Sequence, residues 1–293
     1  MSIPFYTIEN DILQVVISAK GAEIQSIINK DFGIEYMWSG DSKFWGKKSP
    51  VLFPVVGGLK ENKYSFNGKT FELGRHGFAR DMTFVVTAQD ETSVTFGIQS
   101  GEETHIRYPF DFRFFITYTL QGSMLRVAYS VHNTGNEKIY FSVGGHPAFA
   151  VPLVINTTFE DYYLQFSSVE NAGKWPLSGD GLIEEKPVPF LENTDELALQ
   201  KELFYEDALV FKNLQSNRIS LLSNKTSHGL VLQFDGFPYM GIWSAKNADF
   251  VCIEPWCGIA DSVNASGKLE EKEGINSLAA GETFAREWTA EFF

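Results

Sequence analysis

Apolar and polar residues alternate with a period of two along most of this chain, the spacing of strands that bury one face. Ala22-Glu23-Ile24-Gln25-Ser26-Ile27 shows the pattern plainly. Residues 5–8 and 13–17 read as the arms of a hairpin around Glu9-Asn10-Asp11. Residues 64–66 and 70–73 flank Asn67-Gly68, a dipeptide that accepts the positive φ angles of a two-residue hairpin turn. Residues 83–88 pair in the same way with 93–99, and 112–120 with 125–131. One strand is expected over 138–143, and others over 162–166, 208–211, 218–222, 229–234, 239–243 and 283–292.

Helical signals are few: around Phe44 and Trp45, over 195–199, and over 269–273. Residues 170–202 are rich in Gly, Pro and acidic side chains and read as an excursion over the surface. Short strands closed by turns roughly every 8–12 residues predict an all-β protein, a large antiparallel sandwich or barrel and not parallel βαβ units. No repeat and no low-complexity linker divides the chain, so a single domain over 1–293 is expected.

Composition sharpens this picture in three ways. Aromatic residues reach 15%, with 26 Phe, 11 Tyr and 6 Trp, which favours pleated, half-buried surfaces. The formal net charge is -13 with no basic block, which argues against nucleic acid and against an anionic membrane as partners. Cys252 and Cys257 are the only cysteines, too few for a disulfide framework and without metal-knuckle spacing. The apolar run 12–19 lacks the length of a membrane span and the flanks of a signal peptide, so a cytoplasmic protein is expected. Its expected assembly is a monomer or weak homodimer.

Four stretches interrupt the alternation with chemistry. In Val143-Gly144-Gly145-His146-Pro147-Ala148-Phe149, a histidine able to exchange protons near neutral pH follows two glycines. The alternative is a buried histidine bonded to a neighbouring carbonyl. In Gly74-Arg75-His76-Gly77-Phe78-Ala79-Arg80, His76 sits among arginines, whose planar donors suit oxygen-rich ligands; a solvated loop is the alternative. In Phe250-Val251-Cys252-Ile253-Glu254-Pro255-Trp256-Cys257-Gly258, Glu254 ends an apolar run, where an ionised carboxylate is either paired or functional. Trp256 offers an apolar face to a ligand, or is core. In the fourth stretch, Glu206 and Asp207 precede a buried-looking strand, and one of them is expected to be a solvated turn charge. No phosphate loop, no Gly-x-Ser-x-Gly elbow and no paired-histidine metal motif occurs, so no cofactor and no metal is expected.

His76-Gly77-Phe78-Ala79-Arg80, Gly145-His146-Pro147-Ala148-Phe149 and Glu254-Pro255-Trp256, in this order, resemble the aldose 1-epimerase (galactose mutarotase-like) family. Ser49-Pro50-Val51-Leu52-Phe53-Pro54, Tyr108-Pro109-Phe110-Asp111-Phe112 and Asp207-Ala208-Leu209-Val210-Phe211 extend the similarity over essentially the whole chain. The resemblance implies a β-supersandwich of mostly antiparallel strands with a few short helices. It also implies interconversion of the α and β anomers of a hexose, a small-molecule aldose substrate, without cofactor or metal. On that basis Glu254 matches the base that takes the C1 hydroxyl proton, and His146 the acid that protonates the ring oxygen. His76, Asp207 and Arg80 match substrate-binding positions, and Trp256 could face the sugar ring.

The chain departs from both well-known branches of the family near Trp45. Galactose mutarotases carry an Asn-Arg pair there and hexose-6-phosphate mutarotases an Arg-Gly-Gly, whereas this chain has Trp45-Gly46-Lys47-Lys48-Ser49-Pro50. A specificity different from both is therefore expected. Two other readings stay open. A hexose-6-phosphate mutarotase would need Lys47, Lys48, Arg75 or Arg80 at the pocket; a non-catalytic carbohydrate-binding protein would share the scaffold alone. A glycoside hydrolase would need a second carboxylate across the bond.

Overall fold

The computed structural model describes residues 3–293 as 23 strands, five short 3-10 turns and one four-residue α-helix, Glu102–His105. All strand pairs are antiparallel, with parallel contacts confined to isolated bridges such as Phe53 with Gly77. No helix among the described residues is long and apolar enough to cross a membrane.

A nine-stranded sheet forms the largest layer. Its order is Val188–Ala198, Tyr162–Lys174, Arg218–Ser223, Leu230–Gln233, Thr283–Phe292, Met124–Asn133, Phe112–Gln121, Ser93–Gln99 and Val85–Gln89. Phe112–Gln121 buries every second residue, as its sequence alternation requires, and Gly122 turns it into Met124–Asn133 at φ 58°. A six-stranded sheet packs against its inner face. Its central strand, Phe250–Cys257, is flanked by Tyr239–Trp243 on one side. On the other side it pairs with both Val143–Gly145 and Ala148–Ala150, while Leu209–Lys212 and Val51–Leu52 complete the sheet. Every residue of Phe250–Cys257 is buried, the mark of a strand covered on both faces.

Aromatic side chains join the two layers. Phe53 stacks on Phe114 with ring centroids 4.5 Å apart, and burying a side chain of this size stabilises the fold by roughly 1.5–3 kcal/mol. One hydrophobic cluster runs from Ile8 to Phe292. A four-stranded sheet, Phe5–Glu9, Leu13–Ser18, Glu23–Asn29 and Ile34–Glu35, closes one end. From it, the Glu23 carboxylate accepts the backbone N–H groups of Lys48 and Ser49 at 2.7 and 3.0 Å, which anchors the segment leading into Val51–Leu52.

Four expectations are corrected. The stretch 138–143 is two strands: Ile139–Phe141 pairs with Asn276–Leu278, and Ser142 leaves that ladder to donate its N–H to the Pro54 carbonyl. The stretch 170–202 is about half strand, because Tyr162–Lys174 and Val188–Ala198 form the edge of the nine-stranded sheet through three register shifts. Residues 195–198 therefore end a strand, and the stretch 195–199 is no helix. Around Phe44 and Trp45 there is a single hydrogen-bonded turn onto the Asp41 carbonyl, whereas Leu269–Glu271 is indeed a 3-10 turn.

Candidate active site

His146 owes its position to an interruption. Val143–Gly145 and Ala148–Ala150 both pair with Phe250–Cys257, in register Gly144 with Trp256 and Ala148 with Cys252. Between them Pro147 has no N–H to continue the ladder, so the chain breaks step there and places His146 opposite the middle of the central strand. Glu254, at that strand's middle, pairs with Gly241 on its other side. The two side chains meet, His146 Nε2 lying 3.3 Å from Glu254 Oε2 with side-chain exposures of 10% and 2%. They face a cavity of ≈ 270 Å³.

The glycines beside His146 serve neighbours, and not the approach of a ligand. A Cβ on Gly144 would lie 2.7 Å from the Trp256 ring, and one on Gly241, across the central strand, 2.4 Å from it. Trp256 thus lies in a trough made by two side-chain-free positions. A Cβ on Gly145 would meet the Tyr129 hydroxyl and the Trp288 indole nitrogen of the large sheet at 2.9 and 3.0 Å.

His76 enters from a loop in which it adopts the left-handed conformation, φ +67°, uncommon for a residue with a side chain. Two bonds hold it there. Its backbone N–H donates to the Gly57 carbonyl at 2.8 Å, and the Gly57 N–H donates to its Nδ1 at 3.1 Å. A backbone N–H can only donate, so Nδ1 is the acceptor and the proton of the neutral ring sits on Nε2. Burial holds the His76 pKa well below its usual value, reinforced by His146, Arg80 and Arg75.

Burial also governs the central pair. It raises Glu254 well above the usual carboxylate range, with the Trp256 indole and Arg75 opposing the rise and Asp207 adding to it. It lowers His146 to about 3, with Arg80 and Arg75 contributing. His146 Nδ1, Glu254 Oε2 and Trp256 Nε1 are buried and make no hydrogen bond of normal geometry. An acid and a base lie in contact with polar capacity to spare, in a setting that shifts each toward its neutral form.

All six residues singled out from the sequence, His146, Glu254, His76, Asp207, Arg80 and Trp256, line this one cavity. Asp207 reaches it from the turn before Leu209–Lys212, whereas the Glu206 side chain is 93% exposed and is the solvated charge of the two. Lys47 and Lys48 do not line the cavity. Lys47 faces Asp81 at 3.5 Å, and Lys48 donates to the Gln25 carbonyl at 2.7 Å. Arg75, Trp45, Trp243, Leu177 and Ile183 line it as well. Arg75 lies across Gly181, whose missing side chain leaves room for the guanidinium. Arg75 belongs to a motif already singled out; Trp45 falls in a short helical signal and Trp243 in a strand, neither read as a site residue, and Leu177 and Ile183 fall in the stretch read as a surface excursion.

The aldose 1-epimerase family model matches residues 4–286. The chromosomally encoded LacX protein of Lactococcus lactis subsp. lactis is 36% identical over 282 residues, covering 92% of this chain and 93% of its own. The X-ray structure of a galactose mutarotase related enzyme from Lactobacillus acidophilus has a TM-score of 0.94 at 38% identity, over 99% of this chain and 97% of that one. A galactose mutarotase-like protein from Lactobacillus casei has a TM-score of 0.91 at 30% identity, over 99% and 100%.

Proposed function

The chain belongs to the aldose 1-epimerase family, and from that premise we propose that it interconverts the α and β anomers of a free hexose through Glu254 and His146. What carries this reading is the 3.3 Å contact between the two side chains at the buried wall of a cavity that all the candidate hydroxyl-binding groups share. Glu254 takes the proton of the C1 hydroxyl while His146 gives one to the ring oxygen. The bond from C1 to the ring oxygen breaks and leaves the open-chain aldehyde. Rotation about C1–C2 and the reverse transfers close the ring on its other face. The pair carries one proton throughout. Burial favours it on Glu254, so turnover starts from the tautomer in which it has passed to His146. The cycle ends with the same single proton and requires no cofactor.

The remaining groups hold the sugar. His76, with its proton on Nε2, donates toward an oxygen, Asp207 accepts from a hydroxyl, and Trp256 offers an apolar ring face. Two buried, free cysteines fit a reducing, cytoplasmic setting. Polarimetry of freshly dissolved α-galactose and α-glucose tests the proposal. An enzyme-dependent acceleration is expected, and no acceleration over buffer across several aldoses overturns it.

One observation favours a phosphorylated sugar as the second reading. Arg75 and Arg80 both line the cavity; Arg80 Nη2 donates to the Arg75 carbonyl at 2.9 Å, and its Nε lies 3.8 Å from the Asp81 carboxylate. In a chain of net charge -13, two guanidinium groups at one cavity suit an anionic substituent. NMR exchange spectroscopy on glucose 6-phosphate against glucose separates the two: faster exchange of the phosphate ester selects the second reading.

A further inference from the structure

We propose that Trp45 is a positioning residue for His146, its indole holding the imidazole plane by stacking where a hydrogen bond to Nδ1 would ordinarily hold it. The assignment rests on His146 acting as a proton donor, as proposed above. An imidazole that moves protons is usually oriented by a hydrogen bond from its second nitrogen to a neighbouring group, but His146 Nδ1 is buried, its one polar contact being with its own residue's backbone at poor geometry. Rings surround it instead. Trp45 stacks on it with centroids 4.9 Å apart and planes 29° from parallel. Trp243 meets it edge-on at 5.6 Å, and His76 does so at 5.7 Å.

Trp45 is itself held firmly enough for the task. Its N–H donates to the Asp41 carbonyl at 2.9 Å, and its carbonyl accepts the Trp38 indole N–H at 2.9 Å. Its ring stacks with Phe250 of the central strand at 5.6 Å and meets Trp243 edge-on at 5.3 Å. A loop residue thereby becomes rigid with respect to the strand that carries Glu254. Stacking fixes the ring plane and leaves Nε2 directed at Glu254. The indole face also attracts the imidazolium that forms during each cycle. The charged and titratable groups around His146 are Glu254 on the central strand, Cys252 beside it, and His76, Arg75 and Arg80 from the loop.

The test uses Trp45→Leu, which keeps apolar bulk without a flat face, and Trp45→Phe, which keeps the face, each in the full chain. Expected for Trp45→Leu is a fall in kcat of at least about tenfold with KM changed less than about threefold, and an acid limb of the pH profile moved upward as water reaches the ring. Trp45→Phe should restore most of kcat. A rise in KM without loss of kcat, or failure of Trp45→Phe to restore what Trp45→Leu loses, overturns the assignment. ¹⁵N NMR of the five histidines gives a readout that needs no turnover. The His146 resonances of Trp45→Leu should titrate at higher pH than those of the wild type, and an unchanged titration overturns the assignment. A wild type without activity would instead remove the functional reading beneath it.

Discussion

Two buried acid–base pairs lie near the same cavity, and their surroundings differ. Lys272 Nζ and Asp261 Oδ1 are 2.7 Å apart with side chains only 2% and 4% exposed, and the other Asp261 oxygen accepts the Lys60 N–H at 3.0 Å. The Asp261 backbone ties three strips of wall together, donating to the Gly58 carbonyl and accepting from Ile183 beside the cavity-lining Ala260. His146 and Glu254 are buried as well, yet they stand 3.3 Å apart and leave Nδ1 and Oε2 without hydrogen bonds. A buried polar group without a partner costs about 1–3 kcal/mol, so native structures keep few of them. A hydrogen bond on every polar side-chain atom marks the pair that holds the wall, and atoms without one mark the pair proposed to do the chemistry.

The sharpest way to break this contrast is Glu254→Gln. Gln keeps the shape and removes the base, so the polarimetric rate should fall by roughly 10²–10⁴, the worth of one positioned proton transfer. The midpoint of urea unfolding should stay the same or rise, because a desolvated carboxyl is removed. A large loss of stability would put Glu254 in the same class as Asp261. The pH profile probes the same pair. With ordinary values, a Glu ionised while a His is protonated gives a window from about 4.3 to about 6.5. Here burial lowers His146 to about 3 and raises Glu254 above the usual carboxylate range, so the one-proton state of the pair extends beyond that window at both ends. A second proton arrives only on the acid side and the last leaves only on the alkaline side. The rate should therefore form a plateau broader than that window, its acid limb near pH 3, and a narrow bell near pH 5 would contradict the assigned shifts.

Asp261→Asn is the mirror image. Asn must set its amide NH₂ against either the Lys272 ammonium or the Lys60 N–H, both donors. Burial already lowers the Lys272 pKa, with Asp261 opposing that, so its charge would be left uncompensated. Losing one partner of such a pair costs about 3–5 kcal/mol, measurable as a lower urea midpoint. The molecules that remain folded should keep most of their kcat. Equal loss of kcat and stability would make the wall pair part of the machinery.

How far these roles can be read from sequence depends on whether the deciding contact is local. The Asn67-Gly68 turn is legible because its positive φ angles, 47° and 73°, are a property of those two residues. The polar His146 and Glu254 stand out because each interrupts an apolar run. Ser142 breaks its strand by bonding Pro54, 88 positions away, which no alternation pattern registers. The ribbon of Tyr162–Lys174 and Val188–Ala198 is exposed for much of its length, so it has little apolar periodicity to read. Gly144 and Gly145 signal that space is needed, but only the fold reveals that Trp256, Tyr129 and Trp288 fill it. An indole such as Trp45 is ambiguous for the same reason, since stacking partners come from distant strands.

Gly241→Ala tests the packing around the unsatisfied pair. The added methyl would sit 2.4 Å from the Trp256 ring, with Glu254 directly opposite in the ladder. Trp256 must shift, at about 1–3 kcal/mol of stability, and its N–H moves relative to the carboxylate. KM should rise more than kcat falls, because the displaced ring is a wall of the cavity. A variant with both constants unchanged would show that Trp256 is core alone.

The smallest expected effect belongs to a third acid–base contact. Glu206 lies 3.9 Å from Lys174 and is 93% exposed, although its neighbour Asp207 lines the cavity. Water screens such a pair, and long side chains lose freedom in holding it, so exposed contacts contribute little. Glu206→Ala should change the unfolding free energy by less than about 0.5 kcal/mol and leave the anomerisation rate within error. The experiment matters because Glu206 and Asp207 are adjacent carboxylates that the turn points in different directions, one to solvent and one to the cavity. If removing Glu206 slowed the reaction, nearness to the cavity would matter more than burial and hydrogen-bond satisfaction, and the distinction between the two buried pairs would lose its physical basis.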